Sequence, residues 1–433
     1  MAEGMGTGGG EAMRICKIWD ADYPWDIRVE KVVLALIEAG HAVDLVCRNQ
    51  ARRRCLESNG GVTIRRLPSL PPMLGPLHAL CNFPFPLNPV WINAIASAIR
   101  YGHADLILVR DLPLALPAAM LGRAKRIPVV LDMAEHYPAM LEDRLRYTPT
   151  NLLGRLIRHP SAARLIERLS MRLVDHIIVV VEESRDRLIQ AGYPRERLTV
   201  VSNTPRPDQW DFKGIPEANS MQSHGLKLVY LGNLDGIRGI DVAIHALRRL
   251  KDHGCEAHLT VIGGGPNLPQ LRELARQTGV FNQVEFVGYL SLHDRAGRSR
   301  VRTIIAQSDI GLIPHYATEA CNSTIPNKLF DYMMLGLPVI VSNMKPTARI
   351  VLQEGCGEVF KDRSPVDLAR CVLALADPQV RKRKGVKGQA AVSRRYNWNY
   401  DSKILVETIE MVQARYKREE RSSDHVREHG GAS

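Results

Sequence analysis

Met13-Arg-Ile-Cys-Lys-Ile-Trp-Asp-Ala-Asp-Tyr-Pro-Trp-Asp-Ile-Arg-Val-Glu-Lys-Val-Val-Leu-Ala-Leu-Ile-Glu-Ala-Gly-His-Ala-Val-Asp-Leu-Val-Cys47 decides the fold. Residues 13–19 alternate roughly as a strand. Residues 26–39 repeat apolar side chains at helical spacing, and Gly40 stops the run. Residues 42–47 are strand-like again. Strand, helix and strand in immediate succession predict a parallel sheet covered by helices. Further strand-like runs fall at 62–67, 106–109, 129–132, 177–181 and 198–201. Residues 214–225 are polar and turn-rich. A second series follows, with strands at 227–231, 258–262, 284–287, 310–313 and 338–341 and helices at 242–252, 268–278 and 326–335. The expected architecture is α/β: two doubly wound Rossmann-like domains facing across a cleft, with ligands beyond the carboxyl ends of the strands.

A chain of 433 residues exceeds what one core ordinarily holds. The expected division is a disordered tail at 1–12, a first domain at 13–205, a linker at 206–225, a second domain at 226–395, a helix crossing back to the first domain at 396–420, and a tail at 421–433. Hydrophobic content of 45% and charged content of 24% are ordinary for a soluble globular protein. The net charge of +12 calls for a partner that carries negative charge. Nucleic acid is not the expected one, because the basic residues do not alternate with aromatics and no helix-turn-helix or RNP-like pattern occurs. The eight cysteines form no C-x-x-C pair and no His/Cys cluster of zinc spacing, so neither a metal nor a resident cofactor is expected, and the compartment reads as reducing. The first dozen residues do not read as a signal peptide, and no window is long and apolar enough to span a bilayer. The expectation is a cytoplasmic protein, with peripheral attachment to the inner face of the cell membrane left open.

Ser323-Thr-Ile-Pro-Asn-Lys-Leu-Phe-Asp-Tyr-Met-Met-Leu-Gly-Leu-Pro-Val-Ile-Val-Ser342 carries the chemistry. It reads as a short helix followed at once by a buried strand. Pro326 suits the first helical turn, Ser323 or Thr324 can cap it, and Gly336 ends it. Lys328 opposes the helix dipole there, which makes sense if an anion sits at the same place. Asp331, one turn later, puts a carboxylate within reach of sugar hydroxyls. Phosphate plus hydroxyls suggests a nucleotide sugar.

Several segments, taken in order, resemble the retaining glycosyltransferases of family 4 (glycosyl transferases group 1), which have the two-domain GT-B fold. These are Asp22-Tyr-Pro-Trp-Asp-Ile-Arg-Val-Glu-Lys31, Leu131-Asp-Met-Ala-Glu-His-Tyr-Pro138, Val200-Val-Ser-Asn-Thr204, Tyr230-Leu-Gly-Asn-Leu-Asp-Gly-Ile-Arg-Gly-Ile-Asp241, Val261-Ile-Gly-Gly-Gly-Pro266, Val284-Glu-Phe-Val-Gly-Tyr289 and the 323–342 stretch. The resemblance implies a nucleoside-diphosphate sugar held by the second domain and an acceptor held by the first, with Asp26 and Arg28 on the acceptor side. It makes Arg238 a grip on the diphosphate. The family's other basic position falls on Asn233, and Lys328 would compensate. Gly232, Gly264 and Tyr289 lie in the matching donor-side segments.

Of the family's two glutamates, spaced eight apart, the second is matched by Asp331, which would hold the ribose. The first falls on Ser323, which has no carboxylate. Glu319 is a candidate replacement, and backbone N–H groups at Ser323, Thr324 and Ile325, with Asn327 beside them, are further donor contacts. Many relatives place a histidine where Ala134 stands. Glu135 and His136 are candidates for the cleft, against a packing or capping role. Asp20-Ala-Asp22 has the form of a metal motif but lies on the first loop of the first domain, so Arg238, Lys328 and a helix N-terminus are expected to do a metal's work on the leaving diphosphate.

Two segments bear on the acceptor. Residues 68–99 are almost uncharged, apolar and proline-rich, and fit either an acceptor or membrane contact or packing over the core. Arg164, Arg168 and Arg172 repeat at i, i+4, i+8, where like charges repel, so they fit an anionic membrane surface or a solvated helix face. Arg381-Lys-Arg-Lys384 adds basic charge. The expected activity is retaining, metal-independent transfer of a hexosyl or N-acetylhexosaminyl unit to a lipid-linked or polysaccharide acceptor. A same-fold sugar-nucleotide epimerase, and a non-catalytic homologue acting as a scaffold, are the alternatives. Asn233, Ser323 and Ala134 motivate the scaffold.

Overall fold

The structure, a computed structural model, describes residues 11–24, 26–147, 159–207, 225–291 and 294–429, with side chains through residue 422. Residues 208–224 of the expected linker, the first ten residues and residues 148–158 lie outside the described residues.

The first sheet contains β1 (Arg14–Asp22), β2 (Ala42–Arg48), β3 (Leu56–Asn59), β4 (Val62–Arg66), β5 (Leu106–Arg110), β6 (Val129–Met133), β7 (His176–Val179) and β8 (Leu198–Val200). Its order is β3-β4-β2-β1-β5-β6-β7-β8, parallel except for β3. The second sheet contains β9 (Leu226–Leu231), β10 (Ala257–Ile262), β11 (Val284–Gly288), β12 (Ile310–Ile313), β13 (Val339–Ser342) and β14 (Gly357–Phe360), in the order β11-β10-β9-β12-β13-β14 and parallel throughout. β5 and β6 are buried along their whole length because helices cover both faces. In each sheet the winding reverses beside the first strand, at β1/β5 and at β9/β12. Such switch points open a crevice at the carboxyl ends.

β3 and β14 have no counterpart in the sequence reading. β3 is an edge strand whose side chains stay largely in water, and β14 is a four-residue Gly-Glu-Val-Phe, so neither shows an apolar run. Residues 89–102, which take in the end of the apolar, proline-rich stretch 68–99, form a helix. Asn88 caps it by accepting from Val90 N, and Trp91, Ile95, Ala98 and Ile99 pack into the core at helical spacing.

The last helix, Trp398–His429, packs on the first sheet's side of the molecule. Trp398, Leu405, Ile409 and Val412 join Val29, Val32 and Leu36 of the helix Ile27–Glu38 in one buried cluster. Trp398 N donates to Pro205 O at 2.9 Å, and the Asp401 carboxylate accepts from Ser202 N and the Thr204 hydroxyl. Arg381 and Lys384, part of the basic run, are internal ties. Arg381 donates to Leu375 O and Ala376 O and pairs with Asp309, while Lys384 pairs with Glu358.

Candidate active site

A cavity of about 570 Å³ lies between the carboxyl ends of the two sheets. Arg110 at the end of β5 and Gly232 just past β9 bring the two switch points onto its wall. The first domain adds Ile27, Glu30, Lys31 and Leu34, one face of its first helix, together with Ala134 and Glu135. The second domain adds Thr324, Ile325, Asn327, Lys328 and Asp331, with Arg298 and Arg302 from the helix Arg295–Ala306.

Lys328 is buried, and its ammonium lies 3.2 Å from His315 Nε2 and 4.0 Å from the centre of the Tyr230 ring. Gly232, at φ 142°, lets it pass: a Cβ there would come within 2.7 Å of Lys328 Nζ. Burial pulls the ammonium well below the ordinary lysine range, Arg238 adds to the fall, and Asp331 opposes it. Burial, Lys328 and Arg238 likewise keep His315 neutral. Lys328 therefore has little negative charge among the protein groups around it, and a diphosphate beside it would supply that charge.

The helix carrying Lys328 differs from the sequence reading. It runs Lys328–Met334, so Pro326 precedes it, and neither Ser323 nor Thr324 caps it. The Ser323 hydroxyl donates to Glu319 O instead, closing the short 3-10 turn Cys321–Ser323. Asn327 stands at the cap with its Oδ1 buried and unpartnered. Gly336 does end the helix, at φ 74°, with Leu337 N bonded back to Tyr332 O.

Asp331 faces the cavity, and burial lifts its carboxyl to about 7 against the pull of Lys31 and Lys328. Lys31 comes from the other domain. It donates to Thr204 O at 2.6 Å, lies 4.6 Å from the Trp398 ring centre, and is lowered to about 7 by burial and Arg28.

On the acceptor side, Arg110 is held by Asp111 at 3.1 Å and Asp132 at 3.3 Å. Asp111 adopts φ 57°, unusual for a non-glycine residue, and its carboxylate accepts from Ala134 N at 2.9 Å. This fixes the backbone that presents Glu135. Burial and Asp111 raise Glu135 to about 7, with Arg110 and Arg238 opposing. The carboxyl is thus poised between its two protonation states near neutral pH.

The other sequence candidates sit as follows. Arg238 is outside the cavity wall, 3.9 Å from Asp235, with its charge acting on Lys328, His315 and Glu135. His136 is buried and turned away from the cavity, with Nδ1 3.6 Å from the largely exposed carboxylate of Glu319 across the domain boundary. Glu319 does not line the cavity. Arg28 is locked inside the first domain by Asp132 at 2.7 Å and by Ser202 O, and Asp26 caps its own helix by accepting from Val29 N. Neither lines the cavity. Asn233 spends its amide on Asp235 and Leu234 N, Gly264 supplies a carbonyl to Leu234 N, and Tyr289 is 74% exposed. Asp22 of the Asp20-Ala-Asp22 motif accepts from Gln50 N and Ala51 N. Among the described residues no three His, Cys, Asp or Glu side chains converge as a metal would need. Arg164 pairs with Glu142, while Arg168 and Arg172 remain exposed.

Lys31 and Arg110 are the residues the sequence reading missed. Each had a signal: Lys31 is a charge inside the apolar stripe of a helix, and Arg110-Asp111 is a charge pair at the end of a wholly apolar strand.

Residues 26–204 match the glycosyl transferase 4-like domain and residues 225–377 match the glycosyl transferases group 1 domain. The chain belongs to this family, the glycosyl transferase group 1 or family 4-like proteins of GT-B fold. The amylovoran biosynthesis glycosyltransferase AmsK of Erwinia amylovora is 24% identical over 52% of this chain and 54% of the relative. The glycogen synthase of Mycobacterium tuberculosis is 24% identical over 69% and 67%. The chain spans about half the length of the first curated relatives it matches. Among solved structures, the sucrose-phosphate synthase of Thermosynechococcus elongatus superposes with a TM-score of 0.70 at 15% identity, covering 93% of this chain and 99% of that one. Anabaena Alr3699/HepE in complex with UDP gives 0.66 at 15% identity, covering 92% and 100%. At such identities the likeness is one of fold. Among the described residues no helix is long and apolar enough to cross a membrane.

Proposed function

We propose that the protein transfers a sugar from a nucleoside-diphosphate sugar to a lipid-linked or polysaccharide acceptor, with retention of configuration and without a metal. The observation that carries this is Lys328, a buried lysine beside Gly232 on the wall of an interdomain cavity, with Asp331 one turn away. The bond from the anomeric carbon to the diphosphate breaks, and a bond to the acceptor oxygen forms on the same face. The acceptor proton passes to a phosphate oxygen of the leaving group. Lys328, with Arg238 behind it, balances the charge that develops there. Asp331 receives the ribose hydroxyls. Glu135, on the opposite wall, meets the acceptor hydroxyl and orients it.

The names of relatives support the substrate class. HepE is described in complex with UDP, AmsK acts in amylovoran biosynthesis, and a Mycolicibacterium smegmatis relative is a GDP-mannose-dependent phosphatidylinositol monomannoside mannosyltransferase. With lipid-linked acceptors the site of work is the inner face of the cell membrane.

A thermal-shift screen of nucleotide sugars, with free nucleotides as controls, tests the reading. One base should stabilise the protein, and its sugar nucleotide should be slowly hydrolysed without acceptor and in the presence of EDTA. If no nucleotide sugar binds, or if turnover needs manganese, the reading fails.

A further inference from the structure

Between Leu45 and Ala104 the chain carries seven arginines and a single acid, Glu57, which pairs with Arg66 at 3.0 Å. The same stretch holds an unusual concentration of apolar side chains in water. Met73 is 86% exposed, Leu87 68% and Leu80 66%, with Leu77 and Phe85 each at 47%. They stand on the turn Pro72–Leu74, the helix Gly75–Asn82 and the segment that follows.

This ledge is held from beneath. His78 and Asn82 are buried, Asn82 Oδ1 accepts from Asn49 N at 2.8 Å, and His78 Nε2 lies 2.9 Å from Asn49 O. The Asn88 amide donates to Cys81 O and Phe83 O. The apolar side chains are therefore presented on a fixed base, where an exposed patch marks a docking surface.

Further bonds fix the backbone of the loop that carries Arg52, Arg53 and Arg54 beside the ledge, and Arg66 Nη1 donates to Arg54 O at 2.9 Å. Arg52 Nε donates to Leu70 O at 3.2 Å, the Asn49 amide donates to Arg53 O, and Gln50 N and Ala51 N are tied to the Asp22 carboxylate. Arg53 and Arg54 are exposed and have no acidic partner among the described residues. Loop and ledge leave the carboxyl ends of β2 and β4, the end of the sheet at which the cavity lies.

We infer that Met73, Leu77, Leu80, Phe85 and Leu87, with Arg52, Arg53 and Arg54 beside them, are the surface by which the protein lies on an anionic membrane, so that its cavity meets the acceptor there. The inference rests on the reading of the acceptor as lipid-linked. Apolar side chains enter the interface while arginines meet the headgroups, and the two signals together hold a protein that either alone would leave free.

Flotation with vesicles of phosphatidylcholine, with and without phosphatidylglycerol, tests it. The protein should float with the anionic vesicles and be released by salt. The double variants L80E/L87E and R53Q/R54Q should each lower the lipid-bound fraction about tenfold. Their thermal unfolding and their response to nucleotide sugars should be unchanged, because all four side chains are exposed. The variant R164Q/R168Q/R172Q should float like the wild type. Flotation unaffected by the first two variants, loss of flotation in the third alone, or self-association without lipid binding would each overturn the inference. A protein that binds nucleotide sugar but never floats ends this inference and leaves the transferase reading standing. One that floats without binding nucleotide sugars ends the transferase reading, and with it the meeting of cavity and acceptor, and leaves only the membrane-binding surface standing.

Discussion

Lys328 Nζ lies 3.2 Å from His315 Nε2, with both side chains buried. A neutral imidazole can accept an N–H from Lys328 Nζ, so His315 aims Lys328 at the gap over Gly232. Replacing Lys328 by Ala should lower kcat about a hundredfold to a thousandfold and weaken nucleotide binding. His315→Ala keeps the cation but loses its aim, and a loss of about tenfold is expected. Steady-state kinetics on both variants checks the order.

Gly232 tests the same geometry from the other side. An alanine Cβ would stand 2.7 Å from Lys328 Nζ and would force φ 142° on a residue that avoids it. Gly232→Ala should cost roughly 1–3 kcal/mol of stability and weaken nucleotide binding. Denaturant unfolding and nucleotide titration read the two effects separately.

Asp331 sets a pH dependence. Burial lifts its carboxyl from 3.8 to about 7. Across that window the folded protein holds a proton that the unfolded chain has released, so stability contributed by this group falls as pH rises towards 7. The carboxylate that accepts ribose hydroxyls forms on passing about 7, so nucleotide affinity should rise there. Asp331→Asn should flatten both profiles, as followed by unfolding and nucleotide titration against pH.

His136 works in the opposite sense. Burial and the charges of Arg187 and Arg164 lower it from 6.5 to about 4. Between those values the unfolded chain binds the proton and the folded one does not, so stability is lost as pH falls from 6.5 to 4. The loss is up to about 3 kcal/mol. His136→Asn should remove that slope in acid unfolding curves.

Arg349 joins the domains through Glu182 at 2.6 Å and Glu183 at 2.7 Å. The group is partly exposed, so Arg349→Ala should cost only about 1 kcal/mol. It should nevertheless loosen the domain contact, measurable as a larger radius of gyration by small-angle scattering.

The two-sheet architecture was legible because parallel strands covered on both faces leave continuous apolar runs, as at Leu106–Arg110. Edge elements such as Leu56–Asn59, which keep their side chains in water, left no such trace. Lys328 and Asp331 could be singled out from local spacing alone. Arg28 and His136 were drawn to the site by their neighbours in sequence, yet Arg28 is spent on Asp132 and His136 faces Glu319. Lys31 was passed over because its role depends on meeting Asp331, three hundred positions away.

By itself the sequence determined the periodicity of the strands and helices, the two αβ series and the lysine and aspartate that follow Pro326, all of which depend on local spacing. Only the tertiary structure decided which charges reach the cavity and which neutralise one another. That choice depends on the ends of strands from both sheets coming together, and a buried charge is available to a ligand only where no nearer partner has taken it.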